Sequence, residues 1–343
     1  AALRVAVSSA GSGGTLIDIT DSATYDWLEF NNKSRIYIRA RAGQTPRVVS
    51  DSAPPDPASG GNSNAIVFSG ANSDIGIQGL TFLVRAYGNA ETVRRPSKVG
   101  AIRYSTLAGG TRLQGLLIQD CRFEPLDRAL GAVVAIQLAN ETGSTSLHRD
   151  IGIRRSVFDS TGTVEAASDD LAAISVADFE NVLVANVHFK RTSTQPAASQ
   201  MRGVRANVRN GLIEYAYCED IGNVGGANEC AYVSHRTGDG LGSLDGLDVT
   251  VRNTAALSAN RAFAVTRANS TMSVDHAVVV TGSAEQVLQV GDATSSLAVS
   301  NSIFVQLSGT AMLLHNPLAG PFTTHHNLYR WIGPRPFTPD ATD

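Results

Sequence analysis

Cationic and acidic side chains crowd the middle of this chain. Lys190, Arg202, Arg205, Arg209 and Arg236 follow the carboxylates Glu165, Asp169 and Asp170, with Asp178, Glu219, Glu229 and Asp239 interleaved. Such a set suits abstraction of a proton next to a carboxylate. The negative charge that develops there must be neutralised by arginine, lysine or a metal ion. A base of matched pKa must take the proton. Arg205 or Lys190 can serve as base or charge stabiliser, and Tyr232 and His235 as base or acid. Glu165, Asp169 and Asp170 offer the clustered oxygens that Ca2+ prefers. Hydrolysis of a glycosidic bond is the other chemistry open to these residues. It needs two carboxyl groups about 5–9.5 Å apart, and Asp170 with Glu229 or Asp239 is such a pair in type.

Composition narrows the partners. Net charge is −3, so no overall field draws the chain to nucleic acid or an anionic membrane. Lys33, Lys98 and Lys190 are the three lysines among 28 basic residues, a bias that by itself implies no basic site. No apolar run reaches the length of a membrane span. The chain starts at Ala1 without Met, which allows for removal of a leader or an upstream domain, and an extracellular or cell-surface location is the expectation. Cys218 and Cys230 bracket one long loop and could form a disulfide, leaving Cys121 unpaired. Oligomeric state is not legible.

A repeat must position these groups. It reads apolar, any, apolar, any, small or polar, any, any, apolar. Val182, Val184, Asn186 and Phe189 show it, as do Ile75, Ile77, Gly79 and Phe82, then Leu116, Ile118, Asp120 and Phe123, and Ile151, Ile153, Arg155 and Phe158. Later copies carry Asn253, His276, Asn301 and His326 at the small-or-polar position, and weaker copies start at Ile36 and Gly211. The local apolar period is two, which excludes helical repeats. One such unit cannot bury its own inner face, so units must stack. Asn or Gly at the fifth position marks a sharp bend, because those residues tolerate left-handed backbone angles.

A second short strand precedes each copy, at 101–104, 133–138, 173–176, 203–206, 231–234, 262–265, 287–290 and 311–314. Alternation turns Ile102, Ile136, Ile174, Val204, Val233, Val265 and Val290 inward. It turns Arg103, Gln137, Ser175, Arg205, Ser234, Thr266 and Gln289 outward as one polar column. The expected fold is all-β: a right-handed parallel β-helix of about ten coils with an N-terminal cap. The capping segment spans 1–14, with a helix over 2–10. The β-helix spans 15–330, with its first strand at 15–19, and a tail occupies 331–343. The longest insertions follow Phe82, Phe123 and Cys218, and would wall a groove beside the middle coils.

The stretches SDIGIQGLTF (73–82), NVLVANVHF (181–189) and NLYRW (327–331) resemble the pectin-lyase-like superfamily of parallel β-helix proteins. The resemblance runs from Thr15 to Tyr329. It implies a polysaccharide partner held in a groove along the outside of one sheet. Lyases, hydrolases, esterases, tailspikes and adhesins all use this fold, so the fold does not select among them. The paired-Asp and Gly-His-Gly set of polygalacturonases and the Trp-Ile-Asp-His signature of pectate lyases are absent. RGVRANVRNG (202–211) resembles the arginine-bearing strand of those lyases. The leading expectation is a secreted lyase acting on a uronate-containing glycan. Its catalytic candidates are Lys190, Arg205, Tyr232 and His235. Its substrate-binding candidates are Arg103, Gln137, Ser175, Arg202, Arg209 and Arg236. Glu165, Asp169 and Asp170 are its Ca2+ ligands. The alternatives are a non-catalytic adhesin, tailspike or filament component, and a glycoside hydrolase.

Overall fold

The structure, a computed structural model, describes residues 2–49, 63–84, 99–105, 112–126, 134–139, 148–159, 163–164, 172–190, 200–219, 228–233, 246–257, 262–282, 287–307 and 313–332. The chain winds as a right-handed parallel β-helix of about ten coils. Three strands per coil stack into three parallel sheets. Sheet 1 begins at Thr15–Ile19 and continues through Ser34–Ala40, Asn72–Gln78, Leu113–Gln119 and His148–Arg154 to Phe322–His325. Sheet 2 includes Thr81–Val84, Arg122–Pro125, Val157–Asp159, His188–Lys190 and Tyr217–Glu219. Sheet 3 includes Leu28–Asn31, Ser63–Ser69, Val99–Ser105, Ile136–Ala139 and Asn228–Val233. In the middle coils Ile174–Ala185 and Gln200–Glu214 are single long strands that leave sheet 3 and enter sheet 1. Among the described residues every pairing is parallel except Thr163–Val164 against 200–201.

The bend from sheet 1 to sheet 2 is where the repeat acts locally. Gly79, Asp120, Arg155, Asn186, Tyr215, Asn253, His276, Asn301 and His326 all have left-handed φ between 47° and 75°. The two-residue connection has no other way to turn the chain without losing the ladder hydrogen bonds of both strands. Two places behind the bend, Ile77, Ile118, Ile153 and Val184 point inward; three places beyond it, Phe82, Phe123, Phe158 and Phe189 return to the core. These rings form a stack, with centroids 4.9, 4.7 and 5.0 Å apart from Phe82 to Phe189.

Tyr215 is the bulkiest occupant of the bend and is exposed. A non-glycine residue in left-handed geometry costs about 1–2 kcal/mol, and asparagine less. Tyr215→Asn is therefore expected to raise stability by about 1 kcal/mol, read as a shift of the denaturation midpoint. A lowered midpoint would mean that the ring makes contacts worth more than the backbone strain.

The N-terminal end is closed by α1 (Ala2–Ser9). Leu3 and Val7, one turn apart, are buried against the first coil. Lys33 donates to the carbonyls of Ser8 (2.7 Å) and Ala10 (3.1 Å), capping the helix end. The expected cap, first strand and coil pattern are all present. Cys121 and Cys218 are buried in the interior, while the side chain of Cys230, and with it the expected disulfide, lies outside the described residues.

Candidate functional site

Sheets 1 and 2 are joined in the middle coils by two residues each time, at 79–80, 120–121, 155–156, 186–187 and 215–216. Longer stretches of sequence separate sheet 2 from sheet 3: residues 85–98, 191–199 and 220–227 all lie there. Others, such as 106–111, 140–147 and 234–245, leave sheet 3 for sheet 1. Sheet 3 is thus the sheet flanked on both sides by insertions, and its outer face is the candidate site.

Register builds that face. Val67, Arg103, Gln137, Ser175, Arg205 and Tyr232 are consecutive partners on neighbouring coils, and the row continues through Ala264, Gln289 and His315. Ile102, Ile136, Ile174 and Val204, one residue earlier, fill the core. The column expected from alternation is present from Arg103 to Arg205. Beyond it Tyr232 and Ala264 take the places assigned to Ser234 and Thr266, because Val204 pairs with Ala231 rather than Val233. Alternation fixes the face of a strand, but a two-residue slip preserves that face and changes the rung.

The column also differs from expectation in its exposure. Arg103, Gln137, Ser175 and Arg205 are 6%, 0%, 3% and 2% exposed, so an outward-pointing row is closed to water rather than solvated. Ser175 Oγ is engaged locally: it accepts from the Ala172 amide (3.1 Å) and donates to the Ala172 carbonyl (3.3 Å). Gln137 Oε1 and Nε2 have no hydrogen-bond partner among the described residues.

Lys190 does not join this row. It ends a strand of sheet 2, in register with Asp159 and Glu219 on either side. Its Nζ lies 3.7 Å from Asp159 Oδ2, which Arg122 Nη2 also reaches at 3.4 Å. Sequence proximity to Arg205 had suggested a shared face; the long connection after Lys190 carries the chain to a different sheet. Arg209 likewise falls past the corner into sheet 1, paired with Glu180 and exposed. Arg202 pairs in register with Glu229 on sheet 3, where only the backbone is described. Tyr232 is placed by its backbone alone. His235, Arg236, Glu165, Asp169 and Asp170 lie outside the described residues. Among the described residues no group of three or more His, Cys, Asp or Glu could hold a metal ion.

Sequence reasoning missed a second ionisable network, on the outer face of sheet 2. Glu219 accepts from the Tyr217 hydroxyl (2.8 Å), and its other oxygen lies 2.8 Å from His188 Nε2. The rings of His188 and Tyr217 are 5.0 Å apart. Partial burial, then the hydrogen bond to Glu219, pushes the Tyr217 phenol above its ordinary pKa, so it stays protonated. Arg122 also pairs with Glu124 on its own strand. The signal was present in the repeat: Asp159, Lys190 and Glu219 each follow the inward-pointing Phe158, Phe189 or Cys218 by one residue. Cross-strand pairs of opposite charge stabilise neighbouring rungs, which is sufficient reason for this network. Cys121 offers no nucleophile, since burial pushes its thiol up to about 12.

No helix among the described residues is long and apolar enough to cross a membrane. No known family matches the chain, and no curated protein matches it. Two solved structures are similar in fold. An alginate lyase from Paenibacillus sp. str. FPU-7 matches with a TM-score of 0.45 and 12% identity, over 95% of this chain and 96% of that one. PfbA, a surface adhesin of Streptococcus pneumoniae, matches with a TM-score of 0.40 and 14% identity, over 96% of this chain and 87% of that one. The class defined by the fold is the right-handed parallel β-helix.

Proposed function

We propose that this protein is an extracellular, polysaccharide-active β-helix that cleaves a uronate-containing glycan by β-elimination, with the outer face of sheet 3 as its binding face. The observation that supports it is the register column Arg103, Gln137, Ser175, Arg205 and Tyr232, two of them guanidinium groups, on the one sheet flanked by insertions. Coils repeat about every 4.8 Å, a step comparable to one sugar of an extended polymer, so successive rungs meet successive sugars.

In this reading Arg205, only 2% exposed, supplies positive charge from beneath the binding face rather than by direct contact with a uronate carboxylate. It neutralises the charge that builds as the adjacent C–H proton leaves. Tyr232, one rung further, takes that proton or returns one to the departing glycosidic oxygen. The bond between the neighbouring ring carbon and the glycosidic oxygen breaks, its electrons leave with the oxygen, and the C–H electron pair becomes a carbon–carbon double bond between those two carbons of the same uronate. Arg103, Arg202 and Arg236 add positive charge for neighbouring carboxylates, and His235, three residues after Tyr232 in sequence, is the proposed second proton carrier. Glu165, Asp169 and Asp170 are the proposed Ca2+ ligands, and Ca2+ would supply further neutralising charge.

Incubation with a panel of uronate polymers, with and without Ca2+, is expected to yield unsaturated chain ends that absorb in the ultraviolet. Arg205→Ala is expected to lower turnover on the order of 100-fold with the fold retained by circular dichroism. Absence of product from every polymer would defeat the lyase reading. Full activity in Arg205→Ala would remove this residue from it.

One observation favours a non-catalytic surface or filament role instead. On sheet 2 of the last coils Val278, Ile303 and Leu328 stack in register with 38%, 38% and 64% exposure, an apolar ladder in the column that carries Arg122, His188 and Tyr217 on earlier coils. Exposed apolar rows of this kind serve contacts rather than chemistry. Ordered trimers or filaments in sedimentation, with no turnover of any glycan, would favour this reading.

A further inference from the structure

The corner between sheets 1 and 2 is tight on the middle coils, but on the second coil it is not. There residues 41–46 connect Ser34–Ala40 to Arg47–Val49, while the next coil turns at 79–80. Beside this step from a long turn to a short one lies a cavity of about 440 Å³, lined by Arg39, Ala40, Arg41, Ala42 and Gln78. Small-ligand sites typically enclose about 300–1,000 Å³. The long turn is pinned in place. The Arg41 amide donates to the Ile19 carbonyl (2.9 Å) and the Gln44 amide to the Arg41 carbonyl (2.9 Å). The Thr45 amide donates to Ser22 Oγ (3.0 Å), which donates to Gln44 Oε1 (3.0 Å). Two polar side chains of the recess are fixed as well. Arg39 pairs with Asp18, its register partner on the first coil, through Nε and Nη2. Gln78 accepts from the Tyr37 hydroxyl (2.7 Å) and donates to Asp120 Oδ2 (2.9 Å), which leaves one amide N–H unused among the described residues. Arg41 is exposed, and no hydrogen bond or ion pair holds its guanidinium among the described residues.

We propose that this recess is a glycan-binding site separate from sheet 3, and that it holds one hexuronate unit by its carboxylate. Arg39 and Arg41 against Asp18 leave one net positive charge, which matches one carboxylate. The planar fork of Arg41 can take that carboxylate through two parallel hydrogen bonds. Ala40 and Ala42 give a small apolar wall for the C–H face of a sugar ring, and the unused N–H of Gln78 is a donor for a ring hydroxyl. An inorganic oxyanion would use the arginines but neither the alanines nor the amide. Because the recess is on another corner of the solenoid, it can anchor an acidic polymer without occupying sheet 3, and so raise the local concentration of that polymer at the protein. The inference does not rest on sheet 3 being catalytic.

Ligand-observed NMR titration of the full chain at low ionic strength tests it, with glucuronate, its neutral counterpart glucose and inorganic phosphate as probes. The wild type is expected to bind glucuronate saturably, and the other two about tenfold more weakly or worse. Arg41→Ala is expected to lower glucuronate affinity about tenfold. Arg41→Lys should recover only part of it, since an ammonium group cannot make the two-pronged contact. Ala42→Glu adds a carboxylate to the recess and is expected to abolish binding. Both positions are exposed, so these variants should keep the wild-type circular dichroism. Wild-type affinity in both Arg41→Ala and Ala42→Glu would put the sugar elsewhere and overturn the proposal. Phosphate bound as tightly as glucuronate would reduce the recess to an oxyanion site and overturn the sugar assignment. No binding of glucuronate by the wild type overturns it as well. Each of these results leaves the sheet 3 reading standing, because that reading is tested by polymer turnover and Arg205→Ala.

Discussion

Phe158→Ala is expected to destabilise the protein by about 3–5 kcal/mol. Phe158 is fully buried, with its ring centroid 4.7 Å from Phe123 and 5.0 Å from Phe189. Truncation loses the transfer energy of the ring and leaves a cavity that rigid sheets on three sides cannot collapse. It also loses two ring contacts, each worth about 0.5–1.5 kcal/mol. In a solenoid each coil touches only its neighbours, so stability is close to a sum of coil and interface terms. The cavity sits between the N-terminal and C-terminal coils and weakens the coupling of the two halves. Urea unfolding is expected to start at lower denaturant and to broaden or split. Phe158→Leu, which keeps most of the volume, is expected to lose clearly less. Equal midpoints for wild type and Phe158→Ala would show that the stack does not hold the coils together.

The second large effect is a loss of stability on acidification, centred on His148. This ring is 1% exposed and lies 4.8 Å from Tyr104 and 4.8 Å from Phe179. Nδ1 accepts from the Leu113 amide (2.9 Å), which fixes the proton on Nε2 in the neutral form; Nε2 has no partner among the described residues. Burial first, and then the charge of Arg112, push its pKa from 6.5 down to about 4. The folded state therefore resists protonation that the unfolded chain accepts. Between pH 6.5 and about 4 the unfolded state binds more protons, so stability falls as pH falls through that window and levels off below it. The full penalty is about 3 kcal/mol. Urea midpoints measured across this range read it directly. His148→Phe should abolish the contribution of this site to the acid slope. It should also cost about 1–3 kcal/mol at neutral pH, because the Leu113 amide loses its acceptor. A slope unchanged in His148→Phe would move the acid sensitivity to other groups.

His148 was not singled out in the sequence, and the reason is physical. It stands at the start of a sheet 1 strand, three residues ahead of the Ile151 at which the repeat begins, and its register partner on the next coil is Phe179, which pairs in turn with Val208. Which rung a residue shares depends on how many residues each connection consumes, and the connections vary in length. The same uncertainty separated Lys190 from Arg205 and replaced Ser234 by Tyr232 in the outward column.

What the sequence determined by itself is everything set within one coil. The alternation in Val182, Val184 and Phe189 chose inside from outside, and the small or polar residue at Asn186 and its equivalents placed the bend, because both rest on local sterics and a period of two. Tertiary structure decided which coils meet and what covers them. The outward parity of Arg103, Gln137 and Arg205 was legible, but their withdrawal from water was not. Parity is a property of a strand, whereas burial depends on chain that arrives from elsewhere.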